Sequence, residues 1–189
     1  MPTPLLLQRL TQVHRALDSV GIDHAIGGAI ALAVHVMEPR FTADIDLNVV
    51  ADPHHPQKLL DALPHEISIP EDAAETIARD GQIRLVWARP SPATPLDLFW
   101  PVDPVFHALV VSRAQEVGFL GQGIKVMTAT DLMVFKALFN RSKDWVDIES
   151  LVEAGAGDVA EAVDWITRFV GQDSRVERLK VMTQSGLGQ

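Results

Sequence analysis

The chain has 189 residues, 47% of them hydrophobic, enough to bury the core of one domain or of a core with a helical extension. Cysteine is absent, which excludes disulfides and thiolate metal sites, and no apolar run approaches the length of a bilayer span. A formal net charge of −9 argues against extended, non-specific nucleic-acid binding, although a local basic patch could still grip one triphosphate or one RNA end.

The start has a short apolar run and no basic n-region, so no signal peptide, no membrane partner and a cytoplasmic location are expected. Thr3-Pro4 reads as an N-cap and a first-turn proline. Leu6, Leu10, Val13 and Leu17 then recur at helical spacing until Gly21 ends the helix. Ile22 to Ile26 reads as a short strand leading into Gly27-Gly28. An apolar helix from Ala29 to about Met37 follows and breaks at Pro39. Asp44 to Val50 alternates and then becomes fully apolar, as a buried strand does.

Asp52-Pro53 opens an expected helix through Leu63, His65 to Ile69 an expected strand, and Glu71 to Arg79 an amphipathic helix closed by Asp80-Gly81. Ile83 to Ala88 and Leu96 to Trp100 flank a proline-rich loop and should pair as a hairpin. Asp103 to about Ser112 reads as a helix, and Val117 to Val126, with Gly118, Gly121 and Gly123, as a second hairpin. Thr128 or Thr130 caps a helix to about Asn140, and Ser142 starts another to about Ala154. Asp158 caps a third with Val159, Val163, Ile166 and Val170 on one face, and a short helix spans about Ser174 to Met182. No internal repeat is evident. The expected class is α+β, with residues 1–127 forming the mixed core and 128–189 a C-terminal helical subdomain packed on it.

Asp44-Ile45-Asp46 opens a strand, so both carboxylates point to one face while Ile45 and Leu47 point to the core. Two such acids repel, and a shared hard cation such as Mg²⁺, completed by water and phosphate oxygens, relieves the repulsion. The same spacing also suits an acid pair facing solvent. Gly27-Gly28 before a helix can bring backbone close to a phosphate, or can simply make a tight turn. Asp97 lies between Leu96 and Leu98 and faces away from the core. It joins Asp44 and Asp46 only if its strand neighbours theirs, and it could then ligate a second metal or take the acceptor's proton. Otherwise it is a solvent-facing polar residue.

In the helical part, Lys136 sits on an apolar face between Phe135 and Ala137, where it either snorkels to solvent or reaches an anion. Arg141 and Lys143 fall at a helix break, with Asp144 and Asp147 next on one helix face. A cap at Ser142 with first-turn acids explains part of that pattern. His54, His55, His65 and His107 lack the spacing of a metal-hydrolase pair. His24 and His35 are read as structural histidines, and Trp145 and Trp165 as core.

Taken in order, Gly27-Gly28-Ala29, then Arg40-Phe-Thr42-Ala-Asp44-Ile-Asp46-Leu47, then Leu96-Asp97-Leu98 resemble the DNA polymerase beta-like nucleotidyltransferase superfamily. Within it the chain looks like the minimal bacterial and archaeal members related to AbiEii-type toxins of toxin–antitoxin systems, whose later Asp-Leu…Lys…Arg-x-Lys-Asp…Asp helix pair is legible from Asp131 to Asp147. The resemblance covers roughly residues 22–155. It implies a small mixed β-sheet flanked by helices. It implies Gly27 and Gly28 on a nucleoside triphosphate, Asp44 and Asp46 on Mg²⁺ or Mn²⁺, and Asp97 as the third acid. It makes Arg40, Thr42, Lys136, Arg141 and Lys143 candidates for nucleotide contacts. Ala29 departs from the pattern, since many members carry a serine there.

The expected reaction is metal-assisted nucleotidyl transfer to an acceptor hydroxyl, on an RNA end, a protein or a small molecule such as an aminoglycoside. Two other functions fit the same residues. One is a nucleotide- or partner-binding regulator that keeps the fold without the chemistry, which Ala29 and the acidic surface favour. The other is an interaction protein, such as an antitoxin-like half of a gene pair with a small partner protein.

Overall fold

The computed structural model describes residues 4–37, 42–100 and 103–186, with side chains to 182. In chain order the elements are α1 (Pro4–Ser19), β1 (His24–Ile26), α2 (Gly28–His35), β2 (Ile45–Val49), α3 (Gln57–Ala62), β3 (Ile67–Ser68), α4 (Ala73–Asp80), β4 (Gln82–Trp87), β5 (Thr94–Phe99) and α5 (Pro104–Ser112). They continue with β6 (Gln115–Phe119), β7 (Gln122–Val126), α6 (Ala129–Phe139), α7 (Ser142–Glu153), α8 (Val159–Val170) and α9 (Ser174–Gly186). Thr3 and Pro39, read as a cap and a breaker, lie outside the described residues. Among the described residues no helix is long and apolar enough to cross a membrane.

The strands form one seven-stranded mixed sheet in the order β3-β4-β5-β2-β1-β7-β6. β2 lies antiparallel to β1 and parallel to β5, and β5 pairs antiparallel with β4. This is an α+β architecture in which helices accompany one mixed sheet. The expected 83–88/96–100 hairpin forms, with β4 starting one residue and β5 two residues earlier than expected and each ending one residue earlier. Its strands alternate strictly: Ile83, Leu85 and Trp87 are buried, as are Thr94, Leu96 and Leu98, while Arg84 and Asp97 share the other face. α5 packs on β1 and β2, and α4 on β4.

One expected helix start is corrected. The segment from Asp52 to Pro56 is a turn, and α3 begins only at Gln57. The Asp52 side chain accepts from the His54 amide at 2.9 Å and meets the His55 ring at 2.6 Å, so the carboxylate that was read as a helix cap closes a local turn instead. Near α6 the choice between two threonines is resolved. Thr128 caps the helix by accepting from the Asp131 amide, and Thr130 accepts from the Asp158 amide at 2.8 Å, tying the start of α8 to α6.

The chain divides into two compact units. The first holds the chain up to Ile30 and the stretch ending at Met127, and the second holds the segment from Ala31 and everything from Thr128 onward. One unit boundary falls after Met127, and most of α2 groups with the later helices. Within the second unit α6 packs on α7 and α8, and α9 on α7 and α8. Trp145 is buried there, with its indole N–H donating to the Asn140 side chain at 2.8 Å, whereas Trp165 is only half-buried and stacks on Phe169.

Arg9 on α1 is fully buried, and its hydrogen-bond acceptors are neutral oxygens. Its guanidinium donates to the Pro92 carbonyl at 2.7 Å, to Thr94 Oγ1 at 2.6 Å and to the Pro90 carbonyl, and it lies over the Trp87 ring. A guanidinium placed so deep needs every such contact. Arg9→Met should therefore lower unfolding free energy by roughly 1–3 kcal/mol, because it removes the donors that tie the Pro90 and Pro92 carbonyls and the buried Thr94 hydroxyl in the loop before β5. Urea unfolding of the two proteins measures this, and a loss under about 1 kcal/mol would remove Arg9 as the clamp.

Two buried histidines are held neutral. On β1, His24 Nδ1 donates to the Ile22 carbonyl at 2.7 Å, so its Nε2 accepts from His14 Nδ1 at 2.8 Å. Burial depresses both of these pKa values, and it pushes His107 on α5 down to about 4. A base depressed in the folded state binds its proton first in the unfolded chain. Stability from His107 is thus complete above about pH 6.5 and is lost as pH falls toward 4. At pH 5 the loss from His107 alone should be roughly 2 kcal/mol, and His107→Gln should flatten the fall in urea midpoint between pH 7 and 5.

Candidate active site

Strand alternation sends Asp46 and Asp97 to the face of the sheet opposite Ile45, Leu47, Leu96 and Leu98, all of which are buried. β2 and β5 run parallel with Asp46 directly opposite Asp97. Two carboxylates on neighbouring strands at matched register repel each other. Asp44 precedes β2 by one residue. Thr42 holds it there: the buried Thr42 hydroxyl accepts from the Asp44 amide at 3.2 Å and donates to the Asp44 carbonyl at 3.4 Å. Thr42, expected as a nucleotide contact, is instead engaged with the backbone of the first acid.

The glycine turn sits against this face. Gly27 N–H donates to the Asp46 carbonyl at 2.9 Å. Gly28 begins α2 with φ of +57°, a conformation that side chains disfavour. A Cβ on Gly28 would lie 1.9 Å from Asp46 Oδ2, so the absence of a side chain is what lets the carboxylate reach the helix start. At Gly27 a Cβ would lie 3.1 Å from Asn48 Nδ2 and 3.2 Å from Met127 Sδ, tight but not impossible. Gly28 thus has a role that the sequence did not disclose, which is to admit Asp46.

A residue absent from the sequence reading completes the face. Arg84 on β4 lies directly opposite Asp97. Its guanidinium makes a two-pronged contact, Nε to Asp97 Oδ1 at 2.7 Å and Nη2 to Asp97 Oδ2 at 2.6 Å, and Nη2 also stands 3.6 Å from Asp44 Oδ2. The Arg84 pKa is raised, chiefly by the hydrogen bonds it donates to Asp97 and further by the charges of Asp97, Asp44 and Asp46, so one guanidinium feels all three acids. The signal for it was present: with 83–88 and 96–100 paired as a hairpin, Arg84 and Asp97 fall on one face between buried leucine and isoleucine neighbours.

Three of the remaining expected cations, Lys136, Arg141 and Lys143, belong to the second unit. Arg40 lies outside the described residues. Lys136 is almost fully buried, with its ammonium 2.5 Å from the equally buried Asp147 of α7. It therefore neither snorkels nor presents its charge to solvent. Arg141 forks onto buried Asp144 at 2.6 and 3.0 Å. Burial pushes Asp144 upward, but the Arg141 side-chain and backbone hydrogen bonds outweigh it and hold the carboxyl below its usual range. Lys143 is exposed. Among the described residues no group of three or more histidine, aspartate or glutamate side chains is arranged as a ready metal cage.

No protein-family model and no curated protein matches the chain. Solved structures do. It is similar to an antigenic nucleotidyltransferase-like protein from Paracoccidioides brasiliensis, at a TM-score of 0.56 and 19% identity over 92% of both chains. It is also similar to a proposed nucleotidyltransferase from Helicobacter pylori, at 0.51 and 14% over 95% of this chain and 92% of that one. JHP933 from the same organism matches at 0.50 and 14%, over 95% and 89%. At such identities the likeness establishes the fold.

Gly28→Ala should cost about 1–2 kcal/mol from backbone conformation alone and should also displace the Asp46 carboxylate. Gly27→Ala, with an ordinary φ, should cost less. Urea unfolding of both variants tests the order, and a Gly28→Ala protein as stable as wild type would show that Asp46 does not occupy this seat.

Proposed function

We propose that the chain is a metal-dependent nucleotidyltransferase that moves a nucleoside monophosphate from a nucleoside triphosphate to an acceptor hydroxyl. The observation that carries this is the matched register of Asp46 and Asp97 across parallel β2 and β5, with Asp44 two residues upstream and the Gly27-Gly28 turn against the same face. The nucleotidyltransferase-like fold supports it.

The donors present suit a hard divalent cation, since all are carboxylate oxygens. Asp44 and Asp46 would hold it. When bound, such a cation neutralises charge on the α-phosphate and on the departing pyrophosphate. Gly28 and the start of α2 would offer backbone donors to phosphate oxygens, the Gly27 N–H being given to the Asp46 carbonyl. The acceptor oxygen forms a bond to the α-phosphorus while the bond to pyrophosphate breaks. The hydroxyl proton passes to Asp97 once that carboxylate is released, or to solvent. The triphosphate is the nucleotide substrate. The acceptor class among RNA ends, protein and small molecules, and any toxin–antitoxin role, rest on the sequence resemblance.

A second reading has its own observation. Arg84 takes both oxygens of Asp97, as a binding protein without chemistry would allow. Label transfer separates the two. Purified protein with Mg²⁺ and each α-labelled nucleoside triphosphate, offered RNA, cell protein and small hydroxylic acceptors, should yield labelled product. Asp46→Ala should lower its rate at least about a thousandfold. Transfer unchanged by Asp46→Ala would end the enzymatic reading, and nucleotide binding with no product in any lane would favour the regulator.

A further inference from the structure

We infer that Arg84 is the resident counter-cation of the acid face, occupying Asp97 in place of a divalent cation, so that a cation reaches Asp97 only by displacing the guanidinium. The inference rests on Asp44 and Asp46 being the cation pair proposed above.

Three observations carry it. The first is the geometry. Both Asp97 oxygens are taken, at 2.7 and 2.6 Å, and the same Nη2 is 3.6 Å from Asp44. The guanidinium therefore stands between two carboxylates that a bridging cation would otherwise join. The second is charge. Among the described residues Arg84 brings one positive charge to both Asp97 and Asp44, so its removal leaves these two carboxylates with one positive charge fewer. The third is access. The Asp97 side chain is only 13% exposed whereas Arg84 is 60% exposed, so the carboxylate is fixed by its strand and the guanidinium is free to swing into solvent on its long stem. Arg84 would act as a positioning residue that sets how many divalent cations the face accepts and how tightly.

The test is direct Mn²⁺ binding to nucleotide-free protein at fixed ionic strength, with free Mn²⁺ read by electron paramagnetic resonance. The proteins are wild type, Arg84→Gln, Arg84→Lys, Asp46→Ala, the double variant Arg84→Gln/Asp97→Asn, and Arg79→Gln. Arg79 is an exposed arginine paired with Asp80, so its variant loses the same charge away from Asp97. Arg84→Gln should bind Mn²⁺ about tenfold more tightly than wild type, because a well-aligned forked ion pair no longer competes. The gain should disappear in the double variant and be absent in Arg79→Gln. Arg84→Lys keeps the charge and loses the fork, so a several-fold gain is expected, and it serves if the glutamine variant does not fold. A Mn²⁺ affinity of Arg84→Gln within twofold of wild type, or an equal gain in Arg79→Gln, overturns the role of Arg84. If Asp46→Ala is nevertheless weaker than wild type, the proposed cation pair survives that result. An Asp46→Ala protein that binds Mn²⁺ as wild type does would overturn the cation pair itself.

Discussion

Asp46 and Asp97 are held opposite each other on adjacent parallel strands, and the rest of the first unit is arranged around that repulsion. Two like charges ~5 Å apart at an effective dielectric of ~20 repel by roughly 3 kcal/mol. Arg84 offsets this from the other side of β5, and it can do so only if the β4–β5 hairpin keeps its register. A slip of one residue would send Arg84 into the core and Ile83 to the acid face. The loop that sets this register is held from a distance. Arg9 of α1 ties down Pro90, Pro92 and Thr94, the last of which opens β5. A buried arginine and an exposed one therefore act on the same strand, the first through the backbone and the second through charge.

The other two acids are placed by local backbone chemistry. Thr42 fastens Asp44 through its amide and carbonyl, and Gly28 leaves the space that Asp46 fills. In the helical unit the basic residues satisfy the unit's own acids. Lys136 and Asp147 are both almost fully buried, so each requires the other, and removing one partner of such a pair costs about 3–5 kcal/mol. Arg141 does the same for Asp144 from a more exposed position. In the pattern from Asp131 to Asp147, Lys136 thus pairs with Asp147 and Arg141 with Asp144, while Lys143 is exposed.

Much of the fold was legible because its signals are local. Leu6, Leu10, Val13 and Leu17 write the buried stripe of α1, and Asp103, Thr128 and Asp158 cap their helices through side-chain hydrogen bonds. Alternation around Asp46 and Asp97 gave the face each carboxylate takes. Adjacency was not legible: nothing local says that β5 lies parallel beside β2, and this pairing brings Asp97 to Asp46. Asp52 misled because a carboxylate can serve a turn as readily as a helix start. Lys136 was ambiguous because its partner lies on the next helix, in a contact that helical periodicity does not encode. Arg84 was within reach of hairpin register but looked like an ordinary exposed strand residue.

An internal counter-ion also changes how folding relates to ligand binding. A site made of carboxylates alone gains much of its stability from the cation, and some small metal-binding domains do not fold without it. Here the guanidinium supplies positive charge to the acid face before any divalent cation arrives. The sheet can close with Asp97 already in place, at matched register and largely withdrawn from solvent. Pre-organisation of that kind favours chemistry, because the carboxylate need not be reordered when substrate binds. On the proposed reading it would also weaken the affinity of the face for cations, since the same oxygens would have to be surrendered by Arg84. Stability of the empty site and affinity for the filled one are therefore set against each other through a single side chain.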